Sequence, residues 1–139
     1  MDKIKTAKIT DRAFLPTRKH PDDAGIDFYS VENKTIPPHS FDVIRTGITI
    51  EIPRGYVGLM MPKSRNNHIL GAGVIDAGYQ GEILIKLANL TDSPLIIEYG
   101  MAIAQMLILP IITPDVEEIP LSQIHAEKTD RGATGGILG

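Results

Sequence analysis

Three glycine-rich elements carry the residues best suited to chemistry. They are Asp22-Asp23-Ala24-Gly25-Ile26-Asp27, Gly73-Val74-Ile75-Asp76-Ala77-Gly78-Tyr79-Gln80-Gly81-Glu82 and Arg131-Gly132-Ala133-Thr134-Gly135-Gly136. Glycine beside a carboxylate or a guanidinium lets backbone approach a ligand closely. Backbone N–H groups gathered next to a guanidinium form a cradle for phosphate. Pro62-Lys63-Ser64-Arg65 is a fourth element. Its two cations flank a hydroxyl where a strand ends, and the start of a short helix there would add free N–H groups for an anion. Gln105 sits in the apolar run Ile103-Ala104-Gln105-Met106-Leu107 and needs a polar partner, because an unpaired buried amide is costly. Taken singly, each glycine-rich element also fits an ordinary turn.

The elements that must position these residues read as strands. Ile4 to Ile9, Ile26 to Tyr29, a run ending at Thr35-Ile36, Phe41 to Ile52 broken at Gly47, Tyr56 to Met61, Glu82 to Leu90, Leu95 to Ile97 and Ala102 to Ile112 are rich in β formers. Turn signals separate them at the spacing of a sandwich, jelly roll or barrel. Thirteen Gly and ten Pro make up about a sixth of the chain, against roughly an eighth on average. A helix bundle would not carry so many breakers. One short helix is expected, from Ser64 to Leu70, with Ser64 as N-cap. One β domain is expected over residues 1–127, with residues 128–139 as a flexible glycine-rich arm.

Composition removes several function classes. The net charge is −3, from 14 Lys and Arg against 17 Asp and Glu, so no general basic field invites nucleic acid. With no cysteine there is no disulfide scaffold, thiolate zinc site, iron–sulfur cluster or thiol catalysis. The four histidines are scattered without tight ligand spacing. The first residues lack the apolar core of a secretory signal. The longest apolar stretch, Met101 to Thr113, is too short to span a bilayer, and a cytoplasmic location is the simplest expectation.

Taken in order, the elements resemble the motif series of the trimeric dUTP diphosphatases (dUTPases). Ala24-Gly25-Ile26-Asp27 matches the family's A-G-x-D, and Thr46 to Gly58 is similar to its T-G-I-x-I-x-I-P-x-G-Y-x-G. Pro62-Lys63-Ser64-Arg65 meets P-R-S-G in part. Gly73, Ile75, Asp76, Tyr79, Gly81 and Glu82 meet every defined position of G-x-I-D-x-x-Y-x-G-E. Ala102-Ile103-Ala104-Gln105 stands at R-I-A-Q, and Arg131 to Gly135 starts R-G-x-x-G-F-G-S-T-G.

The resemblance implies a jelly-roll-like distorted β-barrel of the dUTPase type, assembled as a homotrimer with sites at subunit interfaces. It implies hydrolysis of dUTP to dUMP and pyrophosphate, with Mg²⁺ carried on the triphosphate. On that reading Asp76 orients and activates the water, and the Tyr79 ring stacks under the deoxyribose, leaving no room for a 2′-hydroxyl. Lys63, Ser64, Arg65 and Gln105 stand at phosphate-contacting positions, and backbone near Gly73 reads the base. Asp27 lies near the metal–phosphate region and could reach Mg²⁺ through water, but no firm protein ligand is expected. Arg131 reaches the γ-phosphate when the arm closes. No nucleic-acid or membrane partner is expected.

The departures have chemical consequences. Lys63 keeps the charge of the family's Arg but loses its bidentate fork. Arg65 replaces a Gly, the stretch to Ala72 is about four residues short against the family pattern, and Ala102 stands where a cation is common. Gly136-Ile137-Leu138-Gly139 lacks the aromatic that would cover uracil. A weaker lid and a slower or less selective enzyme are expected. Two other readings remain open: a nucleotide-binding regulatory trimer, and a dCTP deaminase-like enzyme. The second is disfavoured because Lys86 stands where those enzymes place a Glu.

Overall fold

The structure is a computed structural model, and it describes residues 3–64, 69–70 and 73–132. Its strands are β1 (Lys5–Lys8), β2 (Ile26–Tyr29), β3 (Lys34–Ile36), β4 (Ser40–Arg45), β5 (Ile48–Glu51), β6 (Tyr56–Met61), β7 (Ile69–Leu70), β8 (Gly73–Ile75), β9 (Leu84–Asn89), β10 (Leu95–Ile97) and β11 (Ala102–Pro110). All pairings among them are antiparallel. The sheets run β2-β11-β6-β8, β4-β9-β7, β1-β5 and β10-β3, so most neighbours in space are far apart in sequence. This is the expected jelly-roll-like β fold.

One core lies between the sheets. Phe28, Ile36, Ile44, Ile48, Ile52, Ile83, Ile85, Leu87, Ile97, Ile103 and Met106 are its large fully buried members. Burying each such side chain contributes about 1.5–3 kcal/mol. The two-residue period of a strand then decides what faces outward. In β2, Ile26 and Phe28 go to the core, and Asp27 and Tyr29 go to the other face. In β11 the register against β2 shifts between Ala102 and Ala104, and Ile103 and Ala104 are both buried. Past this bulge Gln105 emerges on the same side as Asp27.

Two expectations are corrected. The helix over Ser64–Leu70 does not extend to its end, because Ile69–Leu70 pairs with β9 as a strand. The rest of that helix, residues 65–68, lies outside the described residues. The last strand stops at Pro110 rather than Ile112, where the backbone loses a donor. Residues 111–132 then run exposed, with one 3₁₀ turn at Leu121–Gln123.

Among the described residues, Asn89 is the one polar side chain of the large, fully buried ones. Its Nδ2 donates to the carbonyls of Ile36 (3.0 Å), Pro37 (3.2 Å) and Ser93 (2.8 Å). Its Oδ1 accepts from Thr91 N (3.0 Å) and Thr91 Oγ1 (2.7 Å). Every lone pair and proton of its amide has work, which is what allows a polar group there.

Candidate active site

The pairing β2-β11-β6 brings three distant residues together. Gln105 lies opposite Asp27 on one side and Met61 on the other. The chain leaving β6 puts Pro62 and Lys63 beside them. Lys63 Nζ donates to Asp27 Oδ1 at 2.6 Å, and Gln105 Nε2 donates to the Pro62 carbonyl at 3.0 Å. The amide of Gln105 has thus found the polar partner its apolar setting demands. The Lys63 and Asp27 side chains are 27% and 15% exposed, so their pair is shielded from bulk water on most sides.

Gly25 makes room for this arrangement. A Cβ at that position would stand 2.0 Å from Gln105 Oε1. The result is a cavity of about 270 Å³ lined by Lys19, Asp23, Gly25, Asp27, Lys63 and Gln105. Its lining carries the Lys19 and Lys63 ammonium groups and the Gln105 amide, against the carboxylates of Asp27, paired with Lys63, and Asp23, bonded to His20. An anion entering it would take its contacts from the ammonium and amide groups. Lys19 was not singled out by sequence; it lies in the segment leading into the first glycine-rich element, to which Asp23 belongs. Asp23 fastens that segment, accepting from His20 N (3.0 Å) and bonding His20 Nδ1 (2.9 Å). The side-chain bond to His20 is the main reason its pKa lies below the usual 3.8.

A second group forms at the end of β8. Ile75 pairs with Gly58, and Gly73 with Met60. Asp76 and Tyr79 then bound a turn closed by backbone, with Tyr79 N donating to Asp76 O at 3.1 Å. The Asp76 carboxylate does not cap this turn: it is exposed and, among the described residues, has no hydrogen-bond or ion-pair partner. Tyr79 Oη donates to the Glu82 carbonyl at 2.6 Å, and the residue, 42% exposed, lines a cavity of about 340 Å³.

The two groups do not meet within one chain. From Asp27 to Asp76 is three strand spacings across the sheet and about four residues along it, roughly 20 Å. Ser64 is exposed in a turn next to Lys63. Arg131 is exposed in a turn closed by Gly132 N to Thr129 O (3.2 Å) and lines neither cavity. Arg65, Gly136, Ile137 and Leu138 lie outside the described residues. Lys86 points outward, its Nζ 4.8 Å from the centre of the Phe41 ring.

The chain is similar to known proteins over most of its length. A family model described as dUTPase matches residues 11–136. The deoxyuridine 5′-triphosphate nucleotidohydrolase of Clostridium tetani (strain Massachusetts / E88) is 41% identical over 95% of this chain and 96% of its own. That of Corynebacterium jeikeium (strain K411) is 43% identical over 84% of this chain and 79% of its own. The dUTPase of Staphylococcus bacteriophage 80alpha, solved with dUPNHPP, superposes with a TM-score of 0.88 at 28% identity, covering 97% of this chain and 96% of that one. A mutant dUTPase from phage phi11 of S. aureus, whose structure describes the coordination of a structural Mg(II) ion, gives a TM-score of 0.80 at 27% identity over 85% of this chain and 97% of its own. A family model that matches residues 11–136, with relatives above 40% identical over most of both chains, shows that this chain belongs to the dUTPase family.

Proposed function

We propose that this protein hydrolyses dUTP to dUMP and pyrophosphate. The observation that carries the mechanism is Asp76. Its backbone closes the 76–79 turn while its carboxylate stays exposed, so the side chain is available to hold a water. The carboxylate accepts the water's proton as oxygen attacks the α-phosphorus. The new P–O bond forms as the bond from the α-phosphorus to the bridging oxygen breaks, and pyrophosphate leaves. Lys63 and Gln105 in the cavity, with Ser64 and Arg65 beside it, take phosphate oxygens; Arg131 takes the γ-phosphate. Tyr79 lies under the deoxyribose, and backbone near Gly73 reads the base.

Mg²⁺ fits this site as an ion carried by the substrate. Among the described residues no three His, Cys, Asp or Glu side chains converge, and Asp27 is already bonded to Lys63. Magnesium keeps several waters and needs few protein ligands when phosphates supply the rest. Bound there, it would neutralise triphosphate charge; Asp27 is the carboxylate placed to meet one of its waters. The separation of the two groups, roughly 20 Å, supports a site to which different copies contribute Lys63 and Asp76, as in the homotrimer that the family resemblance implies. No helix among the described residues is long and apolar enough to cross a membrane, and a cytoplasmic enzyme is the proposal.

The test is product analysis with Mg²⁺ and dUTP, dTTP, dCTP or UTP. Pyrophosphate from dUTP alone is expected. Ammonia from dCTP would indicate a deaminase, and saturable dUTP binding without product a regulator. Asp76→Asn should lower turnover by about 10²–10⁴-fold, the usual contribution of a positioned base. Full turnover in that variant would remove Asp76 from the mechanism.

A further inference from the structure

We infer that Glu82 is a positioning residue: together with Arg45 and the Gly47 N–H, it fixes the carbonyl that anchors the Tyr79 ring, and through that ring it sets discrimination at the sugar. The inference rests on the reading of Tyr79 as the ring beneath the deoxyribose.

Tyr79 is 42% exposed, and an exposed side chain is ordinarily free to change rotamer. Here one polar bond directs it, from Oη to the Glu82 carbonyl at 2.6 Å. The ring reaches that carbonyl by crossing Gly81, where a Cβ would stand 2.5 Å from Tyr79 Oη. The orientation of the ring is therefore only as well defined as the peptide of residue 82.

That peptide is held from both sides. The Glu82 carboxylate, 17% exposed, accepts from Gly47 N at 3.0 Å and Arg45 Nε at 3.2 Å through Oε2, and from Arg45 Nη2 at 3.2 Å through Oε1. The forked contact fixes direction as well as distance. Gly47 cannot drift to follow it. Its φ is +66°, and a Cβ there would meet Thr10 Cγ2 at 2.8 Å and Ala13 Cβ at 2.9 Å. On the other side Ile83 N donates to Ile48 O (2.8 Å), and Thr46 Oγ1 donates to Ile83 O (2.6 Å). Residues 45–48 thus form a template on which residues 82–83 are laid, and Tyr79 is tied to the first of them.

Exclusion of a 2′-hydroxyl by a packed ring needs the ring held to a fraction of an ångström. Loosening the template lets the ring tilt and admits ribose. The loss appears as a fall in the ratio of kcat/KM for dUTP over UTP. A purely structural role would instead lower stability and scale both substrates alike.

The experiment measures that ratio, with urea midpoints, for Glu82→Ala, Glu82→Gln, Arg45→Gln, Tyr79→Phe and Tyr79→Ala. Glu82→Ala should lower the ratio about tenfold, the scale of a modest change in pocket shape. Glu82→Gln keeps an acceptor for Gly47 N–H and should fall less. Tyr79→Phe, which loses only the anchoring hydroxyl, should move the same way without loss of folding. In a Tyr79→Ala background, Glu82→Ala should change the ratio no further. An unchanged ratio in Glu82→Ala and Arg45→Gln, with a collapsed ratio in Tyr79→Ala, overturns the inference and leaves the sugar reading standing. An unchanged ratio in Tyr79→Ala overturns the sugar reading itself. If Glu82→Ala does not fold, Arg45→Gln, at a half-exposed side chain, decides.

Discussion

Gly25→Ala tests how the cavity beside Lys63 and Gln105 is built. The added methyl would stand 2.0 Å from Gln105 Oε1, 2.8 Å from its Cδ and 3.0 Å from its Cβ. The amide must swing away, and its 3.0 Å bond to the Pro62 carbonyl is lost. That bond is worth about 1 kcal/mol net. Displacing packed atoms costs a further ~1–3 kcal/mol. Against this, alanine restricts the unfolded chain and returns about 0.4–1 kcal/mol. The sum is a destabilisation of about 1–3.5 kcal/mol, centred on ~2 kcal/mol, read from urea midpoints at constant m. Gln105→Ala alone should cost about 1–2 kcal/mol, for the lost bond and the exposed carbonyl. In the double variant the clash is gone except for the 3.0 Å approach of the two Cβ atoms. It should therefore be no more than ~1 kcal/mol less stable than Gln105→Ala, far from additive. Additivity within about 0.5 kcal/mol would refute the claim that Gly25 is required by Gln105.

Asn89→Ala should cost about 3–5 kcal/mol, because it strips partners from the carbonyls of Ile36, Pro37 and Ser93 and from Thr91 N–H inside the core; a thermal midpoint near that of the parent would contradict the hydrogen-bond account. Asp23 has a lowered pKa, so its contribution is present above the ordinary 3.8 and is lost as pH falls through the lowered value. The urea-midpoint gap between the parent and Asp23→Asn should accordingly shrink on going from pH 7 to below 3.8, and a gap that widened would reverse the assignment.

How far the sequence speaks depends on the kind of residue. β2, β6 and β10 have the limits expected from it, because turn residues bracket their β-branched and aromatic runs. β7 and β8 escape notice, since Ile69-Leu70-Gly71-Ala72-Gly73-Val74-Ile75 has no alternation and too much glycine. A serine ahead of it even suggests a helix. Asn89 reads as one more member of a β run; nothing local says that its side chain points inward to three carbonyls. The site divides the same way. The glycines and charges of each element are visible as candidates for anion binding, but 36 residues separate Asp27 from Lys63. Only the register of β2, β11 and β6 brings them together. The role of Glu82 is hidden for a similar reason, as its partners Arg45 and Gly47 lie on the far side of a crossover.

The same register argues that one chain is not a complete enzyme. Lys63 and Gln105 stand at one end of the β2-β11-β6-β8 sheet, and Asp76 leaves its far edge about 20 Å away. On the proposed roles, a water on Asp76 would not reach a phosphorus whose oxygens rest on the same chain's Lys63. In a cyclic assembly each site would take these groups from different copies. Asp76→Asn and Lys63→Met chains, each weak alone, should then complement when unfolded together and reassembled. Random mixing at equal amounts gives intact pairs at about a quarter of the sites, so about a quarter of parental turnover is expected. If both groups served one site from the same chain, every site in the mixture would carry a lesion, and turnover would stay at the level of the separate variants.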